Sequence, residues 1–64
     1  MPTTVIQYFG YEHLPLYLQP VSKLFHDLAH QLEDDKSIPD GPEKSAGMRK
    51  LLEAKDCFVR AALQ

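Results

Sequence analysis

A single cysteine, Cys57, has no second thiol to pair with, so no intrachain disulfide can staple this fold. One unpaired thiol also suits a reducing compartment. The three glycines, Gly10, Gly41 and Gly47, are scattered, which excludes a glycine-rich loop cradling phosphate. No apolar run approaches the ~20 residues that span a bilayer, and the first residues lack the basic start and apolar core of a secretory signal. A location in the cytoplasm, with no membrane partner, is expected. Neither charge dominates, since seven Lys and Arg face nine Asp and Glu for a net charge of −2. That balance argues against a broad basic face for long nucleic acid. Local positive charge can still hold a phosphate or two.

The chain is also short of interior. At 64 residues a single domain buries only ~60% of the surface its unfolded form exposes. Folds of this size add disulfides, a metal or self-association. With the first route closed, a homo-oligomer is the expectation.

Three regions are divided by Gly and Pro. Residues 1–13 join a β-favouring run, Thr3 to Phe9, to a cluster of Tyr8, Phe9, Tyr11 and His13 around Gly10. This predicts an extended arm. A lone strand has no partner inside the monomer, so the arm must pack on the helices or on a neighbouring subunit. The first helix is expected over 15–34, with apolar positions Leu14, Leu18, Val21, Phe25, Leu28 and Leu32 at steps of four and three and Leu24 widening the stripe. Pro20 predicts a kink or a short first turn before a main helix from about residue 20. Residues 35–41 form a loop, and a second helix is expected over 42–63, opened by Pro42. Its stripe runs Met48, Leu51, Leu52, Phe58, Val59 and Ala62, with Lys55 where another hydrophobe belongs. Arg49 with Glu53, and Asp56 with Arg60, are spaced to pair. The predicted fold is all-α, an antiparallel two-helix hairpin with an N-terminal extended arm. Both stripes are too wide for two helices to cover, so further copies must close over them.

Candidate chemistry is sparse. His26-Asp27-Leu28-Ala29-His30 sets two imidazoles one turn apart, as zinc proteases do. The middle acid is Asp, however, and no third ligand or substrate cleft is evident. Both are expected as surface or interface residues on the flank of the stripe; metal at an oligomer axis is the alternative. No metal, cofactor or catalytic residue is predicted. Cys57 has no activating base nearby, and its neighbours suggest a buried, inert thiol. A lone ammonium in an apolar stripe needs a partner. For Lys55 that is a carboxylate such as Asp27, Glu33 or Asp56, solvent reached by snorkelling, or a phosphate between subunits that Arg60 or Arg49 would also contact. Tyr8, Phe9, Tyr11, His13 and Tyr17 offer faces on which bases stack, at ~1–3 kcal/mol each. Phe9 and Tyr17 are expected instead to staple the arm to the helices.

An aromatic arm, a first helix carrying Lys23, a polar loop and a second helix ending in Arg60-Ala61-Ala62 together resemble the helical-hairpin sponge proteins of bacteriophages. Those proteins counter the CBASS and Thoeris defences by sequestering cyclic nucleotide signals. The likeness runs from about residue 8 to 63, and small phage proteins contain stretches similar to Tyr11-Glu12-His13-Leu14-Pro15 and Leu51-Leu52-Glu53-Ala54-Lys55-Asp56. It implies a homo-oligomer of hairpins with ligand pockets where subunits meet. In that family an aromatic ahead of the first helix stacks on a base and a Lys on that helix meets phosphate; Tyr11 and Lys23 match in type. A second-helix Arg serves a separate cyclic trinucleotide pocket in some members, and Arg60 is the nearest match. This chain is shorter, with a compressed Tyr11 to Lys23 interval and no Gly-Phe-Met character in its second helix.

The expected function is that of a phage-encoded binder in the infected bacterial cell. It would remove a cyclic di- or trinucleotide, or a cyclic ADP-ribose-like signal, without cleaving it. Tyr11 and His13 would meet the base; Arg60, Lys55, Lys23 and Arg49 would meet phosphate. The competing expectation is an oligomeric helical module that docks on another protein, its charges serving solubility alone.

Overall fold

The computed structural model describes residues 4–63, with side chains from residue 6 onward. Two α-helices, α1 (Gln19–Asp34) and α2 (Pro42–Ala62), fold back on each other, preceded by a 3-10 helix over Thr4–Phe9. There is no strand among the described residues, and no helix there is long and apolar enough to cross a membrane. The body measures 36 × 17 × 16 Å, with a radius of gyration of 12.1 Å. A globular chain of this length would have roughly 10–11 Å. The molecule is therefore a rod, with a long surface for its volume.

The expected extended arm is a 3-10 helix from Thr4 to Phe9, the first residues lying outside the described ones. The cause is backbone satisfaction: a single strand leaves its polar groups unpaired, whereas i to i+3 turns pair many of them locally. This helix packs on both α1 and α2. Phe9 anchors it, fully buried with Ala29 and Met48, while Ile6, Phe25, Leu32, Leu51 and Leu52 pack around them.

Pro20 starts α1; it does not bend it. The Leu18 amide donates to the Pro15 carbonyl at 2.9 Å and Gln19 to Leu16 at 3.3 Å, so residues 15–18 make tight turns, not helix. Pro20 then lies in the first turn, where its missing donor has no consequence. The Gln19 amide side chain reaches back to the Leu14 carbonyl at 2.8 Å and holds the turns against the helix.

The buried stripe of α1 is rotated from the predicted one. Leu18, Ser22 and Ala29 are buried, with Phe25 and Leu32 packed beside them. Small side chains on the inner line admit the 3-10 helix and α2 to close range. Val21, half-buried, moves to one flank, with Leu24 and Leu28 exposed. On α2 the inner line is Met48 and Lys55, flanked by Leu51, Leu52 and Val59. Phe58 lies 58% exposed at the edge, its ring 5.6 Å from that of Phe25.

Loop 35–41 is held by a residue the sequence reading passed over. The Lys44 ammonium donates to the Glu33 carbonyl at 2.9 Å, the Ile38 carbonyl at 3.3 Å and the Asp40 carboxylate at 3.0 Å. It sits where the last carbonyls of α1 and four acidic residues, Glu33, Asp34, Asp35 and Asp40, accumulate negative charge. Asp35 accepts from the Ser37 amide at 2.8 Å and hydroxyl at 2.7 Å, which turns the chain. Those bonds hold the Asp35 carboxyl below its ordinary value.

Candidate functional site

Helical spacing divides the hairpin into two unlike flanks. On α1, Leu24 and Leu28 project to one side, while Lys23, His26, Asp27 and His30 project to the other. The turns of residues 10–18, fixed by the Leu14 amide donating to Tyr11 at 3.1 Å, lie along the polar flank. They deliver Tyr11 against α1 and His13 against α2.

Two clefts result, sharing His13. The first, about 240 Å³, is lined by His13, Leu14, Lys55, Asp56, Val59 and Arg60. Lys55 is only 7% exposed. Its ammonium donates to the Tyr8 carbonyl at 2.8 Å, so its partner is a backbone oxygen of the 3-10 helix and none of the expected carboxylates. That bond uses one of three protons. Arg60 is exposed, and its guanidinium meets the Cys57 sulfur at 3.4 Å, leaving most of its donors available. The second cleft, about 350 Å³, is lined by Gly10, Tyr11, Glu12, His13 and His26. The Tyr11 and His26 rings meet edge to face, with centres 5.0 Å apart.

Behind the second cleft runs a polar chain along α1. The His26 Nδ1–H donates to Asp27 at 3.1 Å, and the Lys23 ammonium donates to the other carboxylate oxygen at 2.8 Å. Hydrogen bonding to Lys23, then to His26, holds the Asp27 carboxyl below its ordinary value. The bond to Asp27 in turn raises Lys23.

The fold thus brings four of the six predicted site residues together: Tyr11 and His13 in one cleft, His13, Lys55 and Arg60 in the other. Lys23 is engaged by Asp27 and lines neither cleft. Arg49 shares the polar flank of α2 but lies about 16 Å up the helix from Arg60 by the standard rise. The pairs Arg49–Glu53 and Asp56–Arg60 do not form; among the described residues the ion pairs are Lys23–Asp27, His26–Asp27 and Lys44–Asp40. Cys57, expected to be buried, is exposed, because α2 turns that position away from both α1 and the 3-10 helix. Tyr17 is 66% exposed and staples nothing. No three of the described His, Cys, Asp or Glu residues converge on a point that could hold a metal ion. His26 and Asp56 were missed as cleft walls; their helical registers with Tyr11 and Arg60 depend on the path of residues 10–18, which periodicity does not encode.

No protein-family model, curated protein or solved structure matches this chain.

Proposed function

We propose that this chain is an oligomeric binding protein that sequesters a small cyclic nucleotide, a cyclic di- or trinucleotide or a cyclic ADP-ribose-like molecule, and releases it chemically unchanged. The observation that carries this reading is the junction at His13. On one side stand the rings of Tyr11, His13 and His26; on the other stand the Lys55 and Arg60 cations. Flat faces beside cations are what a base and its phosphate require. Each cleft lies at or below the low end of the ~300–1,000 Å³ that encloses a ligand. The reading agrees with the resemblance to the phage sponge proteins, and under it the chain is a phage product that acts inside the infected cell.

Calorimetric titration with a panel of cyclic di- and trinucleotides and cyclic ADP-ribose-like molecules tests the proposal. One ligand class should bind, Tyr11→Ala or Arg60→Ala should weaken it at least tenfold, and chromatography should recover the ligand intact. If no member binds, the sequestration reading fails. The second reading, a helical module that docks on another protein, draws on the exposed Leu16, Leu24 and Phe58. It predicts a stoichiometric protein partner unaffected by Arg60→Ala.

A further inference from the structure

We propose that His26 and His30 form a two-imidazole site for a borderline divalent transition ion of the nickel or copper type. An imidazole nitrogen sits about 2.0–2.1 Å from such an ion, which places each ring centre roughly 3.2 Å away. Two rings in neighbouring positions of a square or octahedral ion then lie about 4.5 Å apart. The observed ring centres are 4.4 Å apart, with the planes inclined at 55°. That spacing suits neighbouring positions of a nickel or copper ion, and nickel serves as the probe.

The surroundings of His26 point the same way. Its Nδ1–H is given to Asp27 at 3.1 Å, and Asp27 is itself fixed by Lys23 at 2.8 Å. A carboxylate on one ring nitrogen sets the tautomer and leaves the Nε2 lone pair for a ligand, the arrangement that supports metal-bound histidines. The Tyr11 ring restrains the imidazole from its other side. His30 is exposed and His26 keeps 32% of its side chain open, so an ion with its remaining waters can enter. Asp27 neutralises the nearby Lys23 charge.

The site shares His26 with the second cleft, and it is tested without nucleotide so that its failure is distinct from that of the nucleotide reading. Ni²⁺ is titrated into the untagged chain and into a Cys57→Ser variant, which removes the exposed thiol, with calorimetry and visible absorption as readouts. Binding should persist in Cys57→Ser. It should weaken at least tenfold in His26→Ala and in His30→Gln, the latter an exposed position where a helix former keeps the fold. Asp27→Asn should weaken it by about ten- to a hundredfold. Circular dichroism verifies that each variant is helical. Loss of binding in Cys57→Ser, unchanged binding in a helical His30→Gln, or no binding by the parent chain would overturn the site.

Discussion

Ser22 is fully buried, and its hydroxyl meets no hydrogen-bond partner. A desolvated polar group without a bond is destabilising, and Ala is the better helix former. Ser22→Ala is therefore expected to raise stability by about 1 kcal/mol, read as a higher urea midpoint; a lower midpoint would mean that the hydroxyl is bonded. Lys55 is the opposite case. Lys55→Met keeps the apolar stem but strips the part-buried Tyr8 carbonyl of its donor, and losing a charge-assisted bond of this kind costs about 1–3 kcal/mol. For a domain this small that lowers the thermal midpoint by roughly 5–15 °C. That Lys55 needs a partner was legible in the sequence, because a charge inside an apolar stripe is visible by position. Which partner it takes was not, since a backbone carbonyl forty-seven residues away carries no side-chain signature.

The two helices were legible to within a few residues because proline and apolar spacing mark their ends directly. Their rotation was less so: the pattern weights large hydrophobes, yet the line of closest approach in α1 runs through Ser22 and Ala29. The β-favouring run from Thr3 misled for a related reason, since propensity assumes a neighbouring strand that this chain does not supply. The loop latch was half visible in the Asp40 and Lys44 spacing. Lys44→Met removes three bonds from an ammonium whose side chain is 6% exposed. It should destabilise the hairpin by about 2–3 kcal/mol, seen as a lower urea midpoint with unchanged slope. Asp35 adds a pH dependence at the same turn. Its folded value lies below the ordinary 3.8 through the Ser37 bonds. Its contribution is therefore present above that pH and is lost as pH falls through the folded value. Asp35→Asn keeps an acceptor but cannot titrate, so its thermal midpoint should fall less steeply between pH 4 and pH 2 than that of the parent chain.

At the scale of the whole molecule, the rod has one flank built for water and one that is not. Leu24 is 70% exposed and Leu28 42%, one turn apart on α1, and Phe58 extends the same side from α2 through its contact with Phe25. Leu16, at 83%, stands beyond the start of α1. The clefts and the charged residues occupy the other flank, so covering the apolar side leaves the candidate site open. Identical copies are the economical cover, because a two-fold contact matches the patch to itself. The parent chain should therefore sediment as a dimer or larger at micromolar concentration. Leu24→Glu, which places like charges face to face at the centre of such a contact, should convert it to a monomer of unchanged helicity. Because that contact leaves the clefts uncovered and residue 24 lines neither of them, the same variant should keep its nucleotide affinity within a few fold. A parent chain that sediments as a monomer would remove the interface. A monomeric Leu24→Glu that loses its affinity would show instead that the apolar contact helps to build the site.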